Sequence, residues 1–341
     1  IDDDHLEPFW QMKVSQKLSE VGGERFLEAE GEALLQFKAS NTIVSLTGSN
    51  PLHPEAMRYI AESGVVVFID ANSMDILERL EAMKVNRIVG QGAGMTMKEI
   101  LAYRQQFYEK NYDVRVICER DESFDSIAEK LYQAVKRFRN RTGYVSTRGY
   151  KFPGGTSADF NQVVIQGLAH DNGLYVPESK MPFLTMKQWQ RLVEMTYPER
   201  ALRILESLIH PSDVHPKQLR NMVHLAYNID SFNCKVVTPV VPLEKNQHLL
   251  ELFHGPSASF KDAALQLMPQ FFSNAVKRES ANTRYLILVA TSGDTGSAVL
   301  DGFSKYSGQN TSVVVLYPEK GVSTVQASLM ASAKGSNVKV I

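Results

Sequence analysis

A lysine at position 261 follows a glycine–proline loop and begins an apolar stretch that predicts a helix. Residues 255–262 have the sequence Gly-Pro-Ser-Ala-Ser-Phe-Lys-Asp. The positive end of a helix dipole and partial burial both disfavour a charged ammonium at Lys261. They favour instead a neutral, nucleophilic amine, the form that Schiff-base chemistry requires. The alternative is a solvated first-turn lysine, with Asp262 supplying the favourable negative charge.

A second loop of chemical interest lies about one strand–helix unit downstream of Lys261. Residues 284–290 form a short apolar run that predicts a buried parallel strand. This run leads into residues 291–296, Thr-Ser-Gly-Asp-Thr-Gly, and then into a helical pattern. A loop between a strand and a helix can present backbone N–H groups to a carboxylate or phosphate. The alternative is an ordinary turn in which Thr295 or Asp294 caps the helix.

Taken together, the two loops resemble threonine synthase, a pyridoxal-phosphate enzyme of the tryptophan-synthase-like group. Two further segments resemble the amino-terminal part of that family. Residues 144–149 have the sequence Tyr-Val-Ser-Thr-Arg-Gly, and residues 167–177 contain Gly-Leu-Ala-His-Asp-Asn-Gly-Leu-Tyr-Val-Pro. The resemblance extends from about residue 143 to the carboxyl end.

The resemblance implies a cofactor, a substrate class and a set of site residues. Lys261 would hold pyridoxal 5'-phosphate as a Schiff base and move protons on the substrate. The family acts on O-phosphohomoserine, so the expected small-molecule partner is a phosphorylated amino acid. Asp294 has two equal alternatives, at the cofactor rim or as a helix cap. The residues implied to bind the cofactor or the substrate carboxylate are Phe260, Lys261, Ser292, Gly293, Asp294, Thr295 and Gly296.

The first third of the chain has its own alternation of strands and helices. We expect strands at residues 1–4, 42–46, 64–71 and 113–118, and helices at 15–38, 73–83 and 96–109. Such alternation predicts a parallel sheet covered on both faces. The region resembles the shikimate kinase fold through an Asp-x-Asp opening, Asp2 and Asp4, and through the glycine, phenylalanine and glutamate pattern of residues 23–30.

Several residues depart from the kinase pattern. Leu27 stands where the family has an arginine, and residues 48–50 have the sequence Gly-Ser-Asn where it has three glycines. These changes remove a bidentate carboxylate clamp and restrict close backbone approach to a ligand. The phosphate-cradling loop would lie before Ile1. We therefore predict a degenerate kinase-like module with a structural or regulatory role. Arg79 and Arg87 could lie over the pocket as lid residues do in the kinases, but on a helix that bears Glu78 and Glu81 we expect surface ion pairs.

The expected fold class is α/β throughout, in two successive parts. A shikimate-kinase-like domain would cover residues 1–121 and a helical linker 122–143. A threonine-synthase amino-terminal subdomain would cover 144–235. An incomplete, tryptophan-synthase-like pyridoxal-phosphate domain would cover 236–341.

Composition bounds the partners and the compartment. The chain has 43% hydrophobic residues and a net charge of −1, which gives no electrostatic case for nucleic acid or an anionic membrane. Cys118 and Cys234 follow no disulfide or zinc spacing, so we expect no metal site and a reducing, intracellular compartment, cytoplasmic or mitochondrial. No apolar run has the length of a membrane span.

Two function classes remain open. The first is a pyridoxal-phosphate carbon–oxygen lyase of the threonine synthase family. The second is a catalytically inactive pseudoenzyme with a binding or regulatory role. No glycine-rich cluster follows Gly296, although the family anchors the cofactor phosphate in such a loop. The chain resembles a fragment, and we expect it to retain the cofactor weakly and to be inactive by itself.

Overall fold

The computed structural model describes residues 2–82, 95–179, 184–279, 283–306, 308 and 310–341. The chain divides into two units, Ile1–Asn140 and Arg141–Ile341. In both units helices alternate with short strands, and the sheets with crossover connections are parallel. The α/β class predicted from the sequence is confirmed.

The first unit consists mainly of helices around a short parallel strand pair. Its elements are α1 (Asp2–Trp10), α2 (Val14–Val21), α3 (Gly23–Gln36), α4 (Pro54–Ser63), β1 (Val67–Asp70), α5 (Ser73–Ala82), α6 (Met97–Tyr108), β2 (Val114–Ile117) and α7 (Phe124–Arg139). The helix expected over 15–38 is divided at Gly22, whose φ of 76° ends α2. This left-handed conformation is easily reached by glycine and interrupts a helix.

Strands β1 and β2 pair in parallel, with Val67 opposite Val114 and Asp70 opposite Ile117. Asp70 also binds Arg115 through a buried ion pair of 2.7 Å. Helix α7, in the range expected as a linker, lies against β2, and Lys130 Nζ donates to the Ile117 carbonyl at 3.2 Å.

Two strand predictions in the first unit are wrong. Residues 42–46 form no ladder with any described residue, and the Ile43 side chain is 93% exposed. A run with high β-propensity becomes a strand only where a neighbour pairs with its backbone. Residues 2–4 belong to helix α1, and Leu6 of that helix is buried in a cluster with Val14 and Phe26. Acidic residues suit the first turn of a helix, which the strand prediction did not take into account.

The second unit contains two small antiparallel pairs and a three-stranded parallel sheet. Its elements are β3 (Tyr144–Ser146), α8 (Phe160–Gln166), β4 (Tyr175–Pro177), α9 (Met186–Val193), α10 (Tyr197–Leu208), α11 (Pro216–Ala226), β5 (Val240–Pro242), β6 (His248–Leu250), α12 (Asp262–Leu265), α13 (Met268–Glu279), β7 (Tyr285–Ala290), α14 (Asp294–Tyr306), β8 (Thr311–Leu316), α15 (Thr324–Ala331) and β9 (Val338–Val340).

The parallel sheet has the order β7–β8–β9, and β7 lies in the apolar run expected at residues 284–290. Alternate residues of β8 are buried, as the period of two in a strand requires. They form a core with Phe272 of α13, Phe303 of α14 and Met330 of α15. This core fixes α14 and α15 against the sheet, at whose edge the loop 291–296 lies.

Candidate functional site

Lys261 lies immediately before α12, at the end of a loop that starts at Gly255. Its Nζ atom is 4.4 Å from the centroid of the Phe260 ring, and the Phe260 side chain is 60% exposed. The helix predicted after Lys261 is only four residues long and is followed by α13 from Met268. The amine therefore lies beside an exposed aromatic ring, and Lys261 precedes a short helix where a long one was expected.

The buried carboxylate of Asp262 holds the lysine loop in shape. Asp262 is 1% exposed and accepts hydrogen bonds from Ser257 N at 2.9 Å and Ser257 Oγ at 2.8 Å. Burial raises the pKa of Asp262, against the lowering effect of its hydrogen bonds from Ser257 and Ser259. Gly255 is required beside it, because a Cβ there would overlap the Asp262 side chain. The loop thus folds around the residue next to Lys261.

His254 fixes the other end of the lysine loop. Its Nε2 lies 2.7 Å from Glu251 Oε2, and its Nδ1 lies 2.8 Å from Asn233 Oδ1. The backbone N–H of Asn233 also donates to the His254 carbonyl at 3.0 Å. With both ring nitrogens engaged, His254 has a structural role in this arrangement.

The second loop, residues 291–296, is organised by the Thr291 hydroxyl. Thr291 Oγ1 accepts from Gly293 N at 3.0 Å and from Gly296 N at 3.1 Å. The N–H groups of Asp294 and Thr295 meet no acceptor in the described part of the chain. Ser292 and Asp294 are exposed and Thr295 is half-buried. These polar groups can receive a carboxylate.

Helix α15 covers the two glycines of this loop. Gly293 has a φ of 142°, which an L side chain rarely adopts, and a Cβ there would overlap Gln326. A Cβ at Gly296 would lie 2.8 Å from Met330 Sδ. In addition, Gln326 Nε2 donates to Asp294 Oδ1 at 2.5 Å. The sequence did not single out Gln326, because its spacing from Ser323 indicates a capping box and no ligand motif.

The lysine loop and the loop 291–296 are both attached to α14. The loop 291–296 runs into the first residue of that helix, Asp294. The carbonyl of Leu265, at the end of α12, packs against Gly302, and Gln266 Nε2 donates to Asp301 Oδ2 at 2.8 Å. The short helix α12, which begins next to Lys261, therefore contacts the same helix that loop 291–296 enters, about two turns after its first residue.

The amino-terminal motif segments of the second unit bind each other. Asp171 accepts from Ser146 Oγ at 2.7 Å, Tyr150 N at 2.8 Å and Gly173 N at 2.9 Å. Burial would raise the pKa of Asp171, but these hydrogen bonds outweigh it and lower the pKa. Arg148 and Lys151 have exposed side chains, and Arg148 joins this network by donating from its backbone N to Ser146 Oγ at 3.1 Å and from its guanidinium to the Asp171 carbonyl at 3.3 Å. The motifs stabilise the connection between β3 and β4.

In the first unit, the turn in place of the kinase glycines is closed by its own side chains. Ser49 Oγ donates to the buried carboxylate of Glu30. Asn50 Oδ1 accepts from Thr47 N at 2.8 Å, and the Gly48 carbonyl accepts from Tyr108 OH at 2.6 Å. These bonds occupy polar groups that an open turn would present to a ligand.

The structure tests only some of the predictions made for the charged residues of this unit. The Arg79 guanidinium lies 5.6 Å above the Phe124 ring, and no described carboxylate pairs with it, so its predicted ion pair is wrong. Asp4 is exposed. The Asp2 side chain and Arg87 lie outside the described residues.

The described residues contain neither a membrane-spanning helix nor a cluster of metal ligands. No helix among them is long and apolar enough to cross a membrane. Within the same residues, no three His, Cys, Asp or Glu side chains are grouped so that they could hold a metal ion.

Comparison with known proteins gives a different family model for each of the two units, and one group of relatives along nearly the whole chain. Residues 1–136 match the family model "Shikimate kinase", and residues 143–227 match "Threonine synthase N terminus". Over 99% of its length the chain is 44% identical to "Threonine synthase-like 1" of Homo sapiens, of which the alignment covers 46%. The chain thus spans about half the length of the curated relatives it matches.

Solved structures agree with this comparison. A pyridoxal-phosphate-bound threonine synthase from Brucella melitensis is 35% identical, with a TM-score of 0.52, covering 58% of this chain and 40% of its own. The yeast threonine synthase is 31% identical, with the same TM-score and the same coverage of both chains.

Proposed function

From the relationship of this chain to the threonine synthase-like proteins along nearly its whole length, we propose that its second unit binds pyridoxal 5'-phosphate through Lys261. The reaction would be the elimination or replacement of phosphate on O-phosphohomoserine or a similar phosphorylated amino acid. The observation that carries the proposal is that α12, which begins next to Lys261, and loop 291–296 both contact α14.

The residues of the two loops suit the aldehyde of such a cofactor and the carboxylate of such a substrate. Lys261 provides an amine for an aldehyde, and the adjacent Phe260 ring provides an exposed apolar face. The N–H groups of Asp294 and Thr295 and the Ser292 hydroxyl provide donors for a carboxylate. When bound, pyridoxal phosphate supplies an electron sink for charge that develops on a substrate carbon.

The protein's own contribution is placement and proton transfer. The Lys261 amine accepts a proton from one substrate carbon and returns it to the next, which proximity makes effective. Asp262 acts through Ser257 and Ser259 to hold the loop that carries this amine. The loop 291–296 binds the substrate carboxylate and so orients the carbon that loses its proton.

The first unit is proposed to be a structural or regulatory module that does not phosphorylate a substrate. The closed turn formed by Ser49, Glu30, Asn50 and Thr47 supports this proposal. A catalytically inactive second unit, acting only in binding, is the alternative to the lyase. Loss of two donors of loop 291–296 to Thr291 Oγ1 favours this alternative.

The test is an absorbance titration of the protein with pyridoxal phosphate. We expect a new band that borohydride fixes, that is lost in Lys261→Ala, and that persists in Lys277→Ala as the matched control. Phosphate release from O-phosphohomoserine then separates a lyase from a protein that only binds the cofactor. A folded wild-type protein with no Lys261-dependent band would contradict the proposal.

A further inference from the structure

Helix α15 carries a side chain that determines the shape of loop 291–296. Gln326 and Met330 are one helical turn apart, so they lie on the same face of α15. Gln326 lies where a Cβ of Gly293 would be, and Met330 contacts the position of a Cβ at Gly296. The two glycines of the loop are therefore required for the close approach of α15.

The Gln326 amide has a different partner on each of its two polar atoms. Its Oε1 accepts from Ser323 N at 3.2 Å and from Ser323 Oγ at 3.0 Å, which closes the capping box of α15. Its Nε2 donates to Asp294 Oδ1 at 2.5 Å. One side chain thus links the first turn of α15 to the first residue of α14.

The hydrogen bond from Gln326 determines the direction in which the Asp294 carboxylate points. Asp294 is exposed and adjoins the N–H groups of the loop, which its own carboxylate could occupy in place of a ligand. A carboxylate beside these groups would also repel an anionic ligand. The hydrogen bond from Gln326 directs the Asp294 carboxylate toward α15.

We propose that Gln326 is a positioning residue for loop 291–296, which covers Gly293 and holds the Asp294 carboxylate away from the donors that receive an anionic ligand. The inference rests on the proposed function for the identity of that ligand, a substrate carboxylate. The positioning of the loop itself rests on the contacts of Gln326 alone.

The substitution Gln326→Glu separates the two roles of this side chain. A glutamate keeps an acceptor for Ser323, as in a standard capping box, so α15 stays capped. It replaces the donor to Asp294 by a second carboxylate oxygen. Adding Asp294→Asn restores a donor and an acceptor with their roles exchanged. The matched control is Gln188→Glu, because Gln188 closes the same type of capping box with Thr185 in α9, away from the loop.

The first readout is hydrogen exchange at the amides of Gly293 and Gly296 in the protein without ligand. We expect exchange about fivefold faster in Gln326→Glu, from repulsion of two close carboxylates, and near-native rates in the double variant and in Gln188→Glu. Native exchange in Gln326→Glu would overturn the proposal. So would equally fast exchange in the double variant, because that would indicate simple loss of packing.

The second readout is the concentration of O-phosphohomoserine that half-saturates the absorbance change of the protein with pyridoxal phosphate. We expect this concentration to rise about fivefold in Gln326→Glu and to recover by more than half in the double variant. An unchanged value in a wild-type-like cofactor complex would overturn the role in ligand placement. If the wild-type protein shows no Lys261-dependent band, the proposed function fails, and the exchange experiment still decides whether Gln326 positions the loop.

Discussion

The turn 47–50 of the first unit and the loop 291–296 of the second both have a glycine beside small polar residues, yet they differ in where their polar groups point. In the first turn, Ser49 binds Glu30 and Asn50 binds Thr47. In the second loop, Ser292 and Asp294 stay exposed. The difference lies in the partners supplied by the surrounding fold. A buried glutamate closes the first turn, whereas α15 packs on the glycines of the second loop, binds Asp294 through Gln326 and leaves Ser292 exposed.

The largest effect is expected where the lysine loop meets α14. In Gly302→Ala, the new Cβ would overlap the Leu265 carbonyl, a backbone atom that cannot move aside without displacing α12. We expect the second unit to lose about 3 kcal/mol of unfolding free energy. Denaturant unfolding followed by Trp189 fluorescence, in a Trp10→Phe background, measures this change.

Gly308→Ala is the control for this prediction, because the nearest atom to its Cβ is Ser273 Oγ at 3.5 Å. We expect little change in that variant. Equal stability of the two variants would contradict the contact between α12 and α14, and with it the placement of both loops on one helix.

A smaller effect is expected at the closed turn of the first unit. Ser49→Ala removes a hydroxyl donor from the buried carboxylate of Glu30, a loss of about 1.5–2 kcal/mol for a bond to a charged group. Unfolding followed by Trp10 fluorescence in a Trp189→Phe background gives the measurement. Ser19→Ala, at an exposed helical serine, is the control. A Ser49→Ala protein as stable as this control would show that the turn is not held closed by Glu30.

The smallest effect concerns the pH dependence contributed by Asp262. Because burial raises its folded-state pKa above the ordinary value of 3.8, the folded protein holds this proton more tightly than the unfolded chain. The resulting stability is present below about pH 4 and is lost as the pH rises through the raised pKa.

The substitution Asp262→Asn removes this titration while keeping an oxygen acceptor, and Ser257 can reverse its hydroxyl bond. We therefore expect the unfolding free energy of the wild-type protein to fall relative to Asp262→Asn between pH 4 and 7. If the difference in unfolding free energy between the two proteins is constant from pH 4 to 7, or grows in favour of the wild type, then the pKa of Asp262 is not raised by folding.

Local pattern was sufficient for the elements that position the site. The strand at residues 284–290 and the strand–loop–helix order around residues 291–296 were predicted from a continuous apolar run. The expected burial of that strand was wrong, because alternate residues of β7, Leu286 and Leu288, are each 62% exposed. The strand expected at 42–46 was wrong, since its formation depends on a partner that no local pattern specifies.

The contacts that hold the site could not be predicted from the sequence either, because they also depend on partners that no local pattern specifies. Asp262 beside Lys261 looked like an ordinary first-turn carboxylate, and only the folded loop buries it on Ser257. Gln326 is 32 residues from Asp294, and the sequence indicates only its capping role. The first contact depends on the folded conformation of a short loop and the second on long-range packing, and neither is specified by local spacing.

The central claim is that Lys261, next to the short helix α12 that packs against α14, is the lysine that binds pyridoxal phosphate. The most direct test is to treat the protein with limiting pyridoxal phosphate, reduce it with borohydride, and locate the added mass by peptide mapping. The account predicts that the label concentrates on Lys261, well above the surface lysines Lys277 and Lys305. Label spread evenly over these three lysines, or absent from Lys261 in a folded protein, would contradict it.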